Sequence, residues 1–188
     1  MAQRVEYRPR GTSCPAADIT KLQYRMVEQG YAGKFPLQPE GLPANIGSDG
    51  ATVCVVFFVP TKQGNALVGH VDNACVVRAS SGEKYNALVR DAKQRISGFL
   101  GGDTVDPTST WYVTDNDDKH FGKAVREAII EATGVSTATM ESKKRNGFMV
   151  PVEGGIPKKA VWADGNGVKD HDPVPVTCAT KWTNEMAV

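Results

Sequence analysis

The sequence predicts an α+β (or α/β) fold: a single-domain sandwich in which a mixed or antiparallel sheet is covered by helices. Three observations lead there. The chain has 188 residues, 40% of them hydrophobic, enough for one sizeable core, and nothing in it suggests two. Val53–Val59 and Asn65–Val71 are apolar on both faces, with Cys54, Val56, Phe58 and His70 on one and Val55, Phe57 and Leu67 on the other. Strands of that kind need cover on both sides of their sheet. Two longer segments downstream carry apolar residues at helical spacing and supply candidates for that cover.

Taken in order, residues 1–15 read as an irregular arm with Pro9, Gly11 and Pro15. Asp18 caps a predicted helix whose apolar positions Ile19, Leu22, Met26 and Val27 share a face, ending at Gly30. From Gly33 to Gly47 the prolines 36, 39 and 43 and the glycines predict a loop. The two apolar strands then form a β-hairpin around Pro60-Thr61-Lys62-Gln63-Gly64. Cys75–Arg78 extends or follows the second strand. Ser81 caps a helix with Tyr85, Leu88, Val89, Ala92, Ile96 and Phe99 on one face, stopped by Gly101-Gly102. Thr110–Thr114 is a strand. Asp115, Asp117 and Asp118 offer caps for a second helix bearing Phe121, Val125, Ile129 and Ile130, closed by Gly134. Gly147–Val152, Lys159–Ala163 and Val174–Thr180 read as short strands joined by glycine- and proline-rich turns. There is no repeat, metal-ligand cluster, P-loop or dinucleotide fingerprint, and Asp164–Gly167 is turn chemistry.

The hairpin brings a thiol towards an imidazole. If Val59 faces Asn65 across a five-residue loop, Cys54 faces His70. Directly opposed residues have Cβ atoms about 4.5–5.5 Å apart, close enough for a thiolate–imidazolium contact. A slip of one residue puts the two side chains on opposite faces. A cysteine in an apolar strand is commonly a small core hydrophobe. Two features point instead to a nucleophile. One is the histidine, the usual base for a thiol. The other is the preceding Gly47-Ser48-Asp49-Gly50-Ala51-Thr52 segment, whose N–H groups can face a developing oxyanion.

Ile46-Gly47-Ser48-Asp49-Gly50-Ala51-Thr52-Val53-Cys54 resembles the segment around the nucleophilic cysteine of the protein N-terminal asparagine amidohydrolase family. The similarity continues through Thr61–Ala66 to His70-Val71-Asp72. In pattern it extends through the helices and Asp117-Asp118, covering residues 40 to 135. That family is in turn similar to cysteine deamidases of the cytotoxic necrotizing factor and chemotaxis deamidase type, which also pair a cysteine with a downstream histidine. The resemblance implies that residues 16–135 form a family-like core, with additional short strands over 136–188. It implies Cys54 as nucleophile and His70 as base, with Asp49, Thr52 and Asp72 as further matched positions. The departures are a shorter chain, no similarity after Gly134, and Val55 where the family carries a polar residue.

The expected reaction is hydrolysis of an asparagine-type carboxamide, foremost at the N-terminus of a peptide or protein, through a thioester and without a cofactor. In it, Cys54 N–H and the Thr52 hydroxyl are oxyanion donors. Asp72 orients His70, or simply forms a turn with Asn73. Asp49 is the first candidate partner for an α-ammonium, or a cap of its own loop, and Ser48 beside it is a substrate-binding candidate. Asp117 and Asp118 read as helix caps, His120 and His171 as solvated, and Trp111 as core or a stacking platform. Two alternatives stay open. One is an amidase, cyclase or transamidase using the same dyad on a small amide or a protein glutamine. The other is a non-catalytic binding protein of the same fold.

Composition narrows the partners. With 22 basic and 21 acidic residues the net charge is +1, which excludes a general nucleic-acid or membrane-surface binder. Lys143-Lys144-Arg145 reads as a solvated loop. No apolar stretch is long enough to span a bilayer, and the N-terminus has no signal-peptide core. The four cysteines lack CxxC spacing, so neither a zinc site nor a disulfide framework is indicated, and a reducing cytoplasm is the expected location.

Overall fold

Leu22–Val27 is a strand, β1, not the end of a helix, in the computed structural model, which describes residues 22–72, 82–115, 119–165, 167–176 and 181–182. Its side chains alternate. Tyr24 and Met26 pack with Met149, Ala163 and Val168, while Arg25 and Val27 face inward. The alternation is disguised because the inward position carries a charge. Arg25 is buried by donating from Nη2 to the carbonyls of Pro36 (2.9 Å) and Ala44 (3.0 Å). Those bonds stand in for the water that a guanidinium otherwise keeps.

The segment expected to be a loop holds two further strands, β2 (Tyr31–Pro36) and β3 (Ile46–Ser48). The hairpin strands are β4 (Val55–Pro60) and β5 (Asn65–Val71), so Cys54 sits immediately before its strand. Then come α1 (Glu83–Leu100), β6 (Trp111–Thr114), α2 (Lys119–Thr133) and β7 (Met140–Lys143). Among the described residues β8 (Phe148–Val150), β9 (Val152–Glu153), β10 (Ile156–Pro157), β11 (Val161–Trp162) and β12 (His171–Val176) follow. As expected, α1 stops at Gly101, whose left-handed φ of 54° no β-branched residue would accept.

A central sheet has the order β2-β5-β4-β6-β7, antiparallel except for the parallel β6–β7 pair. A second sheet has the order β11-β8-β3-β1-β12, with β1 parallel to both neighbours, and β9–β10 form a separate small hairpin. The doubly apolar hairpin has the two covers its sequence requires. Val55, Phe57, Val59 and Leu67 pack against α1 and α2 through Leu88, Ile96, Phe121 and Ile129. Cys54, Val56, Phe58 and Val68 pack against the second sheet through Val27, Ile46, Phe148 and Val150. Each such fully buried side chain contributes roughly 1.5–3 kcal/mol. The fold is α+β and rich in strand.

The strands after residue 135 are built into both sheets: β7 beside β6, β8 beside β3 and β12 beside β1. Pro173 and Pro175 lack the N–H a central strand needs, and β12 accordingly lies at the rim of its sheet. Gly69 shows a close fit. It pairs with Phe57 and Ala32, and a Cβ there would come within 2.5 Å of the Phe57 ring and 2.8 Å of the Ala32 methyl.

The hairpin register differs from the expected one by two residues. Val56, not Cys54, pairs with His70, and Val59 pairs with Leu67. The cause is a tighter turn. Pro60 still pairs with Ala66, and Thr61 N–H donates to the Asn65 carbonyl at 2.8 Å. Lys62-Gln63-Gly64 is left as a three-residue loop with Gly64 at φ 76°. A shift of two keeps every side chain on its expected face. The arm over 1–15, the Asp18 and Ser81 caps, Cys14, Cys75–Arg78, Asp117-Asp118, Cys178 and the His120 side chain lie outside the described residues.

Candidate functional site

At the C-terminal end of β5, His70 projects between the two sheets and meets Ser48 of β3. Ser48 Oγ donates to the Val27 carbonyl at 2.6 Å and lies 2.8 Å from His70 Nδ1. A hydroxyl has one proton. With that proton on Val27, the serine accepts from Nδ1–H, and the neutral ring keeps its lone pair on Nε2. Nε2 is buried and finds no hydrogen-bond partner among the described residues. Burial pushes His70 down to about 4, while the nearby carboxylates of Asp72 and Asp49 pull the other way. At neutral pH the ring is therefore uncharged.

Cys54 is buried, 3% exposed, and its Sγ donates to Asp72 Oδ1 at 3.6 Å. The other carboxylate oxygen of Asp72 accepts from Gln29 Nε2 at 2.9 Å. Continuing the β4–β5 register by one residue sets Cys54 opposite Asp72, with His70 a diagonal neighbour on the same face. Diagonal neighbours are about 7–8 Å apart, farther than directly opposed residues and still within reach of an imidazole. The expected Cys54–His70 pairing is thus corrected to two adjoining pairs, Cys54–Asp72 and Ser48–His70. The hydrogen bond that orients His70 comes from Ser48.

Asp49 follows β3 and accepts from Tyr24 OH at 2.8 Å. Burial and that carboxylate together push the Tyr24 phenol far above its usual range. A cavity of about 460 Å³ opens beside this pair, walled by Glu28, Gln29, Tyr31, Asp49 and His70 among others, with Cys54 outside the wall. Its charged lining is acidic. Thr52 is exposed at the surface, and its N–H donates to Gly50 O at 3.0 Å, while Ala51 N–H donates to Asn146 O at 2.7 Å. Those two N–H groups hold the loop and are not offered to an oxyanion.

Five of the expected positions, Ser48, Asp49, Cys54, His70 and Asp72, therefore gather at one end of the sandwich, with Thr52 exposed on the loop that leads to Cys54. Tyr24, Glu28 and Gln29 belong to the site without having been singled out, because their segment reads as a helix. Trp111 is core, its Nε1 donating to Ser136 O at 2.9 Å. His171 lies in β12 with Nδ1 against Lys169 O. Among the described residues no group of three or more His, Cys, Asp or Glu could hold a metal ion, and no helix is long and apolar enough to cross a membrane. Neither a scan against protein-family models nor a search of curated proteins returns a match to this chain.

Proposed function

We propose that this protein is a cysteine-dependent amidohydrolase that releases ammonia from an asparagine-type side-chain carboxamide. The observation that carries this reading is the Ser48–His70 bond. It holds the imidazole in the tautomer that leaves Nε2 open, on the same strand face as a thiol and beside a cavity. In the reaction, Nε2 takes the Cys54 proton and sulfur attacks the amide carbon. The proton passes to the departing ammonia, and water, activated by the same nitrogen, hydrolyses the thioester to a carboxylate. The imidazolium formed on the way is stabilised by Asp49 and Asp72. No cofactor enters this scheme.

The acidic wall of Asp49 and Glu28 suits a substrate with an ammonium near its carboxamide, and an N-terminal asparagine of a peptide or protein has that layout. A cytoplasmic location belongs to the same proposal, since a thiol nucleophile needs reducing surroundings. Ammonia release from a peptide with N-terminal Asn, set against one with an internal Gln, tests the substrate. Cys54→Ala and His70→Ala each remove nearly all turnover, and turnover retained by Cys54→Ala overturns the assignment.

A second reading has its own observation. Cys54 is 3% exposed and outside the cavity wall, as a core thiol in a non-catalytic binding protein would be. It differs in predicting no ammonia release from any carboxamide while cationic ligands still bind.

A further inference from the structure

The thiol of the proposed site has a carboxylate as its hydrogen-bond acceptor. Cys54 Sγ points its proton at Asp72 Oδ1 over 3.6 Å, Asp72 Oδ2 is held by Gln29 at the turn after β1, and His70 Nε2 has no partner among the described residues. Asp72, just after β5, is the carboxylate that meets the sulfur; His70 on β5 feels both Asp72 and Asp49, and Glu28 shares a cavity wall with Asp49 and His70. The Asp115–Arg126 pair, joined over 2.6 Å, lies on the neighbouring β6 end and α2. A thiol that donates its proton to a carboxylate is held in the neutral form by that bond.

We infer that Asp72 is a latch on the nucleophile, holding Cys54 as a thiol in the resting protein and releasing it when a positively charged group of the substrate draws the carboxylate away. The release step rests on the amidohydrolase reading. When the S–H···O contact breaks, the proton moves from Sγ to His70 Nε2, and the sulfur electron pair forms the bond to the amide carbon. The C–N bond then breaks, with ammonia taking the proton from Nε2. The resulting imidazolium faces Asp49, whose carboxylate accepts its charge while Asp72 is engaged by the substrate. Asp72 is a positioning residue in this scheme. It works against reaction without substrate and for it with substrate.

The test is the pH dependence of Cys54 alkylation by iodoacetamide, followed by mass spectrometry of the Cys54 peptide so that Cys14, Cys75 and Cys178 do not interfere. In the wild-type protein the midpoint lies above the ordinary thiol value of about 8.5. Asp72→Asn, or Asp72→Ser if the amide packs poorly, lowers that midpoint. A midpoint lower by about one on the pH scale leaves roughly ten times more thiolate at pH 7, so alkylation there speeds up roughly tenfold. The tripeptide Ala-Gly-Gly, which offers an ammonium and no side-chain carboxamide, speeds wild-type alkylation, and its N-acetyl form does not. A wild-type midpoint at or below the ordinary value overturns the latch, as do Asp72 variants that react no faster. A tripeptide without effect overturns the release step. Faster alkylation in the Asp72 variants, with no ammonia released by wild type from any carboxamide, sinks the amidohydrolase reading and leaves the latch in place.

Discussion

Replacing Ser48 by alanine tests the central geometry. The substitution deletes one oxygen and orphans two buried groups, the Val27 carbonyl that Oγ meets at 2.6 Å and the His70 Nδ1–H at 2.8 Å. A buried polar group left unpaired costs about 1–3 kcal/mol. The two together predict a loss of about 2–4 kcal/mol, taking the lower half of the range because the ring can turn to recover part of its share. With a urea slope of roughly 2 kcal/mol per M, the middle of the usual range, the unfolding midpoint falls by about 1–2 M. Tryptophan fluorescence reads that transition. The side-chain ¹⁵N spectrum of histidine reads the second effect, since His70 loses its preference for the Nδ1–H form. If the protein is the proposed hydrolase, ammonia release drops roughly a hundredfold, the lower end of what a correctly presented base contributes. An unfolding midpoint that moves less than about 0.3 M, with the His70 tautomer unchanged, refutes the reasoning.

Two further outcomes follow from features already described. His70 is held near 4, below its ordinary value near 6.5, so between those values the unfolded chain binds the extra proton and folding stability falls as the pH is lowered. The stabilisation is complete above about 6.5 and gone below 4, about 3 kcal/mol in all, and denaturant titrations of His70→Gln should show a flatter dependence across that window. Gly69→Ala forces a methyl into the Phe57 ring and the Ala32 side chain, which costs about 1–3 kcal/mol of overpacking and lowers Tm by several degrees. A Gly69→Ala protein as stable as wild type means the ring has room to move aside.

Much of the fold was legible because the hairpin residues permit few arrangements. Alternate positions of Val55–Val59 are apolar on both faces, and burial on both sides follows from that alone. The glycine stops at 101 and 134 closed both helices where expected, since a left-handed residue ends a helix wherever it falls. β1 was illegible for a specific reason. Arg25 occupies an inward position, so the two-residue period was hidden and the spacing of Leu22, Met26 and Val27 imitated a helical face. β2 and β3 were hidden by glycine and proline, which signal a loop locally but are tolerated where neighbouring strands supply the pairing. At the site, the face shared by Cys54 and His70 was readable from parity, whereas their separation depended on how Thr61–Gly64 closes. The partnership of Ser48 with His70 spans two sheets, and strand periodicity carries no signal for a contact of that kind.

That partnership has a consequence for how the molecule responds to mild stress. The serine travels with one sheet and the imidazole with the other, so the bond between them survives only at the native interlayer spacing. Warming or dilute urea that parts the layers by about half an ångström or more breaks it while both β-ladders remain intact. The ring is then free to exchange tautomers, and its spectrum becomes an early gauge of a loosening sandwich.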